Sequence, residues 1–258
     1  MPRSISELVA DNFSRDPEYY DGSARAQMEV AERLAATIHS AGSPHRPKRV
    51  LEIGCGTGFL TKRLFGLFPS SEFVVTDISP AMLEFCRGAT ADIRLGKGIA
   101  AEFALDDIAE TKLSGGFDLI ASSFAFQWAG RLCELTPVLA RLSRNGGIVC
   151  FSVLCENTFG GVQNYFSEHG VSFPVPHLAS DVELDRALSV FSRAESLRFE
   201  IREDYPSLRA FLRHIQRVGA VNASGKRVET ATLKRLLAEG NDFPLTVEYD
   251  VAIAICEV

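Results

Sequence analysis

Several features that mark particular protein classes are missing from this sequence of 258 residues. No apolar run approaches the roughly 18–20 residues that a membrane-spanning helix needs. The N-terminal stretch MPRSISELVADNF has no apolar core before a small-residue cleavage site, as a secretory signal would. We therefore expect a cytoplasmic protein with no membrane partner.

The cysteines form neither a disulfide framework nor a metal-ligand pattern. They stand apart at positions 55, 86, 133, 150, 155 and 256, with no Cys-x-x-Cys pair and no Cys/His cluster. We expect free thiols in a reducing compartment and no bound metal. Dense Lys/Arg runs are also missing, and the formal net charge is −6. This balance argues against a nucleic-acid partner, although a small basic patch on an acidic protein remains possible.

What the sequence does contain is a regular alternation of short apolar strands and amphipathic helices. Strands are predicted at 49–53, 72–77 and 147–154, with an apolar strand running into a loop over 117–128 and a short strand and loop over 93–103. This alternation over about 110 residues predicts a parallel sheet covered by helices on both faces. Two further strands are expected around 196–204 and 246–256, the latter antiparallel, with mostly helical segments between them.

A glycine-rich turn follows the first of these strands. Glu52-x-Gly54-x-Gly56-x-Gly58 lets the chain bend sharply and lets a ligand approach the backbone closely. The spacing differs from the G-x-G-x-x-G of dinucleotide enzymes, and the carboxylate of Glu52 would repel a pyrophosphate. That carboxylate would instead attract the cationic amino acid end of S-adenosylmethionine. Asp77 ends the next strand, where it can accept both ribose hydroxyls.

The neighbouring positions give weaker indications for the same ligand. Ile78 and Met82 are placed to flank an adenine ring, although both suit plain core packing. Enzymes that bind S-adenosylmethionine in this way often have an Asp after the third strand, which meets the adenine amine. The segment KGIAAE has no such Asp. That segment offers Ile99 and Ala100, so we expect the backbone there, or Glu102, to replace it.

Four longer segments carry a resemblance to a known family. They are FSRDPEYYDGSARAQ (13–27), FAFQWAGRL (124–132), LRHIQRVGAVNASG (212–225) and FPLTVEYDVAIA (243–254). Together with the glycine motif they resemble the class I S-adenosylmethionine-dependent methyltransferases, and more narrowly the malonyl-[acyl-carrier protein] O-methyltransferases of biotin synthesis. The resemblance implies an α/β Rossmann-like fold: a seven-stranded, mostly parallel sheet with an antiparallel last strand, helices on both faces and a helical cap insertion.

The resemblance also implies an organisation and a reaction. We expect a single domain over 1–258, with an N-terminal helical lid (1–45), a cofactor-binding core (46–154) and cap insertions at 155–192 and 206–243. The methyl group of S-adenosylmethionine would pass to the free carboxylate of a malonyl thioester, leaving S-adenosylhomocysteine. The partner would be an acyl-carrier protein with a malonyl-phosphopantetheine arm, or malonyl-CoA. The product ester would prime pimeloyl and hence biotin synthesis. No general base is needed, because a carboxylate is ionised at neutral pH.

The site residues expected on this basis fall into three groups. The cofactor-binding candidates are Gln27, Glu52, Gly54, Cys55, Gly56, Gly58, Asp77, Ile78, Met82, Ile99, Ala100, Ser123 and Gln127. The catalytic candidates are Tyr20, as a lid over the methyl group, and Arg213 and Arg217, which would hold the carboxylate by bidentate pairing. The further substrate-binding candidates are Arg25, Arg144 and the wall residue Trp128. For each arginine a solvated surface position is the alternative.

A basic cluster in the cap is the candidate docking patch for an acidic carrier protein. It comprises Arg209, Arg213, His214, Arg217, Lys226 and Arg227. Three other functions stay open on the sequence alone. They are a different small-molecule carboxylate or phenol O-methyltransferase, a nucleotide-binding oxidoreductase, and a binding protein that kept the cofactor fold without catalysis.

Overall fold

A computed structural model of the chain describes residues 4–41, 46–219, 230–239 and 244–258. Within these ranges none of the helices has the length and apolar character needed to cross a membrane. Ala220, Asn222, Lys226 and Arg227, which belong to the resemblance or to the basic cluster, lie outside the described residues.

Seven strands form one sheet in the order β3-β2-β1-β4-β5-β7-β6. They are β1 (Arg49–Ile53), β2 (Glu72–Asp77), β3 (Ala100–Leu105), β4 (Phe117–Ser123), β5 (Ser143–Leu154), β6 (Arg193–Tyr205) and β7 (Leu245–Glu257). All pairs from β3 to β5 are parallel, and β7 is antiparallel to both β5 and β6. The predicted fold class, with six parallel strands and an antiparallel last strand, is confirmed.

The helices lie on both faces of the sheet and at its carboxyl end. They are α1 (Ile5–Phe13), α2 (Pro17–Ser23), α3 (Arg25–Ser40), α4 (Phe59–Leu67), α5 (Pro80–Ala89), α6 (Ala91–Lys97), α7 (Phe126–Ala129), α8 (Leu132–Leu142), α9 (Gly160–Glu168), α10 (Asp181–Leu188), α11 (Leu208–Arg217) and α12 (Thr230–Glu239). Local sequence sets the start of α5, since the Ser79 hydroxyl accepts a hydrogen bond from the Met82 amide and Pro80 takes the first helical position.

The predicted short strand and loop over 93–103 is wrong in its first part. Residues 91–97 form helix α6, and the chain leaves it through Gly98 at a φ of 65°. A left-handed glycine is a common way to end a helix, because it has no Cβ to clash. Strand β3 therefore starts at Ala100 and ends at Leu105, further along the chain than expected.

Three apolar clusters position the elements. One lies on the α8 and α10 face of the sheet around Phe117, Phe126 and Phe151, and a second lies on the α3 and α4 face around Leu34 and Phe65. A third cluster joins α9 and α11 to the far ends of β6 and β7. The sheet is thus buried on both faces, and the third cluster extends the core beyond the end of β5.

The ends of β6 and β7 project past the sheet as a two-stranded ribbon. Strand β5 pairs with β7 only as far as Val251, whereas β6 and β7 stay paired through six more positions, from Glu200–Asp250 to Tyr205–Leu245. At about 3.3 Å per residue this overhang measures roughly 20 Å. It carries residues that face α3, α9 and α11.

Candidate active site

The glycine turn lies where the strand order reverses, between the carboxyl ends of β1 and β4. Parallel sheets bind ligands in the crevice at such a point. Gly54 has a φ of 71°, and a Cβ there would lie 2.3 Å from the Ala125 Cβ in the loop after β4. The two loops are therefore in contact, and only glycine fits at position 54.

Asp77 connects the glycine turn to the next loop. Its Oδ2 accepts a hydrogen bond from the Gly56 amide at 2.8 Å, and its Oδ1 accepts one from the Ser79 amide at 2.8 Å. The side chain is only 7% exposed, and burial raises the pKa of Asp77, partly offset by these two bonds. A carboxylate keeps further lone pairs after two such bonds, so Asp77 can still accept from a ligand.

Two clefts open at this end of the sheet. The glycine-loop cleft measures about 680 Å³ with its mouth and is lined by Gly54, Gly56, Asp77, Ile78, Met82 and Ser123 among others. The aromatic cleft measures about 530 Å³ and is lined by Gln27, Gln127, Leu154, Phe159, Ile215 and Tyr249 among others. Helices α1 and α2 cover the first cleft, to which they contribute Val9, Phe13 and Tyr20.

The clefts share one wall of four aromatic residues. Phe13, Tyr20, Phe124 and Trp128 line both. The rings pack at right angles where Phe13 meets Trp128, with centroids 5.4 Å apart, and Tyr20 stacks on Phe59 at 6.3 Å. A group bound in one cleft would meet a group bound in the other at this wall.

The expectation for the loop after the third strand needs correction. Ile99 is buried in the α3 and α4 cluster, and Ala100 pairs with Glu72 at the amino end of β2. Both residues lie at the end of the sheet opposite the clefts. The glycine-loop cleft is lined instead by Asp106, Asp107 and Ile108, which directly follow β3. An acidic residue does follow the third strand, therefore, and substitution by Glu102 is not needed.

Glu52 is placed beneath the glycine turn and does not line the cleft. Its side chain is 1% exposed, and neither oxygen makes a well-formed hydrogen bond, with Thr61 as a polar neighbour. Burial raises the pKa of Glu52 well above its usual range. Cys55 is also buried on the α5 side, beside Cys86, and lines neither cleft.

The two predicted glutamines line the aromatic cleft, away from the glycine turn. Gln127 donates from Nε2 to the Phe124 carbonyl at 2.8 Å, and Phe124 has a φ of 52°, which is unusual for a residue with a side chain. Gln127 therefore holds a strained part of the shared wall. Trp128 lies in that wall as expected.

The arginine predictions fail on geometry. Arg213 and Arg217 are exposed on α11, and neither lines a cleft. The Arg217 guanidinium pairs with Asp16 at 2.9 Å and lies over the Tyr19 ring, 3.4 Å from its centroid. Arg217 thus packs against the outer side of α2. The cause is the phase of α11, which turns its apolar side inward.

The two remaining arginines are also outside the site. Arg25 is exposed at the first residue of α3 and lines neither cleft. Arg144 pairs with Asp118 near the starts of β5 and β4. In a parallel sheet these strand starts lie at the end opposite the clefts, so Arg144 cannot hold a substrate there.

Several cleft residues escape notice in the sequence. The pair Asp106–Asp107 carries a signal, an acidic doublet directly after an apolar strand, that a correct end for β3 would have revealed. Phe159 and Tyr249 carry no such signal, because they come from segments far apart in the chain.

The comparisons with known proteins agree with this geometry. Residues 51–149 match the family model described as a methyltransferase domain. The solved structure of a magnesium protoporphyrin IX methyltransferase from Synechocystis covers all of this chain and 99% of its own, with a TM-score of 0.59 at 13% identity. The chain therefore has the fold of the class I methyltransferases.

Curated relatives identify the family within that class. A malonyl-[acyl-carrier protein] O-methyltransferase from Magnetococcus marinus is 32% identical over 94% of this chain and 89% of its own. One of the same name from Methylococcus capsulatus is 30% identical over 96% and 92%. The chain belongs to the malonyl-[acyl-carrier protein] O-methyltransferase family.

Proposed function

We propose that this enzyme transfers the methyl group of S-adenosylmethionine to the free carboxylate of a malonyl thioester carried by an acyl-carrier protein. The observation that carries the proposal is the meeting of two clefts at one aromatic wall, in a chain of this family. One cleft suits the donor and the other suits the acceptor. All six cysteines are free thiols, which fits a reducing compartment such as the cytoplasm.

The glycine-loop cleft fits the donor. Gly54 and Gly56 let a ligand approach the backbone, Asp77 can accept from ribose hydroxyls, and the acidic doublet after β3 can accept from an adenine amine. Glu52 adds a buried carboxyl group below the turn, and a cationic amino acid end bound above it would favour the ionised form that burial disfavours. S-adenosylmethionine would supply the methyl group on a sulfonium, and the neutral thioether of S-adenosylhomocysteine would be the leaving group. The chain's task is to align the methyl group with the acceptor oxygen and to exclude water.

The aromatic cleft fits a carboxylate acceptor by a different logic from the arginine clamp expected from the sequence. Within the described part of the chain its lining contains no Lys or Arg. Transfer between an anion and a cation neutralises charge, and an apolar, water-poor cleft favours that change. A carboxylate that is not paired with a guanidinium also keeps its nucleophilic oxygen free.

We assign the orientation of the acceptor carboxylate to Tyr20, which lies in the wall that the two clefts share. Burial, helped by the negative charge of Asp77, raises the pKa of its phenol above its ordinary value. The phenol therefore stays protonated and can donate to the acceptor oxygen that does not react. Gln27 in the same cleft offers amide donors for the same purpose. These neutral groups would orient the carboxylate in line with the methyl group.

The outer side of α11 supports a carrier-protein substrate. Arg209, Arg213 and Arg217 recur every four residues and are exposed, so they form one basic row on a protein of net charge −6. Ile215, on the inner side of the same helix, lines the aromatic cleft. An acidic carrier protein docked on this basic row would lie close to the cleft that receives its arm.

The test is acceptor discrimination. The enzyme is incubated with methyl-labelled S-adenosylmethionine and malonyl-, succinyl- or acetyl-carrier protein, malonyl-CoA, or free malonate. We expect label on malonyl-carrier protein, weaker label on malonyl-CoA and none on the acetyl species, which lacks a free carboxylate. Label on free acids or phenols alone, or none on any malonyl thioester, would overturn the proposal.

A further inference from the structure

One carboxylate behind the aromatic cleft binds donors from three different elements. Glu203 of β6 accepts hydrogen bonds at Oε2 from the Tyr205 hydroxyl at 2.6 Å and from the Tyr249 hydroxyl at 3.2 Å. Its Oε1 accepts from the Ala26 amide in the first turn of α3, at 3.1 Å. Neither cleft is lined by Glu203 itself. It lies behind the wall and joins β6, β7 and α3.

Two of these connections reach the cleft surface. Tyr249 lines the aromatic cleft, and its ring meets that of Phe159 edge-on with centroids 4.9 Å apart. Gln27, which follows Ala26, lines the same cleft. A shift of Glu203 would therefore move one tyrosine and one glutamine of the acceptor wall together. Among the described residues, the hydrogen-bond partners of this carboxylate do not include a residue that lines the glycine-loop cleft.

The chemistry of the three partners requires an acceptor at this position. Two hydroxyls and a backbone N–H all donate, and an ionised carboxylate is the side chain that only accepts. Burial raises the pKa of both tyrosines, and the nearby Glu203 raises them further, so both remain protonated donors. A glutamine of equal size would turn an NH₂ group toward one of the donors and lose a charge-assisted bond.

We propose that Glu203 is a positioning residue of the acceptor cleft, which fixes Tyr249 and the start of α3 so that Gln27 and Tyr249 shape the wall against which the acceptor is held. The inference rests on the proposed function for the identity of the acceptor. It predicts an effect on acceptor binding that is separate from cofactor binding. A merely structural role would affect both.

The main experiment compares Glu203→Gln with Glu200→Gln in the full chain. Glu200 lies on the same strand and is exposed, where it pairs with Arg202. For Glu203→Gln we expect KM for malonyl-carrier protein to rise about tenfold. We expect the Kd for S-adenosylhomocysteine, measured by calorimetry, to stay within about twofold. Glu200→Gln is expected to match the wild type in both.

A second pair of variants tests the route of the effect. Tyr249→Phe removes the hydroxyl that ties a cleft-lining residue to Glu203. Tyr205→Phe removes a hydroxyl that bonds the same oxygen of Glu203, but Tyr205 lines neither cleft. Tyr249→Phe should raise KM, and combining it with Glu203→Gln should add little, because both cut the same connection. Tyr205→Phe should have the smaller effect. Tyr249→Phe also serves as the test if Glu203→Gln does not fold.

The failing results are distinct. An unchanged KM in Glu203→Gln, or an equal loss of acceptor and cofactor affinity, would overturn the positioning role. A wild-type enzyme that ignores malonyl thioesters would instead overturn the proposed function. In that case the same variants are compared with whichever acceptor the wild type methylates.

Discussion

The two clefts are formed by different parts of the chain. The glycine-loop cleft takes its shape mainly from the turns after β1, β2, β3 and β4, and its lining residues there lie within 77 consecutive residues, from Ile53 to Ala129. Helices α1 and α2 cover it. The aromatic cleft is made of side chains from α2, α3, β5, α11 and β7, which are distributed over nearly the whole chain. On the proposed function, donor recognition is thus local, whereas acceptor recognition depends on long-range packing. Changes in the first should abolish activity, and changes in the second should alter preference.

The largest effect is expected at Gly54. In Gly54→Ala the new methyl group would overlap the Ala125 Cβ, and the φ of 71° disfavours any side chain. We expect about 2–5 kcal/mol of lost stability and at least about 100-fold weaker binding of S-adenosylhomocysteine. Thermal unfolding and calorimetry measure the two.

The control for this change is Gly66→Ala in α4, where a Cβ meets nothing within 4 Å. It should be neutral or stabilising by up to about 1 kcal/mol. Normal cofactor affinity in Gly54→Ala would refute the view that this cleft is set by backbone contact.

A smaller and more selective effect is expected at the shared wall. Tyr20→Phe keeps the ring that stacks on Phe59 but removes the phenolic donor. We expect kcat to fall about tenfold with cofactor affinity unchanged, because the hydroxyl is assigned to the acceptor. Single-turnover kinetics measure the methyl-transfer step directly. If cofactor affinity falls as much as kcat, Tyr20 belongs to the donor side and the division between the clefts moves.

The approach to the aromatic cleft should show a weaker, salt-dependent effect. In Arg209→Glu/Arg213→Glu we expect KM for malonyl-carrier protein to rise about fivefold at low salt, and less in high salt, since exposed charges are screened. KM for malonyl-CoA should not change. Arg186→Glu, at an exposed position on α10, is the matched control. Equal losses with both substrates would argue against docking on the basic row.

A fall in pH should weaken the contacts of Asp16 and Asp250 before it affects the glycine turn around Asp77 and Glu52. Hydrogen bonds from Arg217 and Arg198 lower the pKa of Asp16 and Asp250 respectively, so their stabilisation is present above the unfolded pKa of about 3.9 and is lost as the pH falls through the folded value. Burial raises the pKa of Asp77 and Glu52, so acid relieves an ionisation cost there.

Hydrogen exchange corrected for intrinsic rates tests this difference between pH 6 and pH 3. Protection in α2 and near Asp250 should fall before protection in β1. Asp250→Asn should flatten the response near that strand. Earlier loss in β1 would contradict the assignment.

The same division explains which parts of the site could be predicted from the sequence. The glycine turn and Asp77 were recognised because a strand, a turn and a helix follow each other in the chain. The prediction of Ile99 and Ala100 is wrong for a local reason: the segment that forms α6 is predicted as a strand, which displaces the expected end of β3 away from Asp106.

The residues of the aromatic cleft are harder to predict from the sequence. Arg213 and Arg217 were chosen by charge, but the apolar side of α11 turns them outward, and the phase of that helix depends on contacts with β6 and β7. Phe159 belongs to no motif, and Tyr249 belongs to the 243–254 segment of the resemblance without a pattern that assigns it to a cleft. Tyr20 and Trp128 were identified through the family resemblance and stand in the shared wall; their roles stay predictions.

The overhanging ribbon of β6 and β7 has a consequence for how such enzymes can diversify. It carries Glu203 and Tyr249 on one face, clear of the strands that end at the glycine turn. Inserting or deleting a matched pair of residues in each strand would slide that face along the aromatic cleft and preserve its inward side chains, whereas a single insertion would turn them outward. We therefore expect that changes of two residues in both strands would alter the length of acyl chain that the aromatic cleft admits, while the turns that form the glycine-loop cleft stay in place.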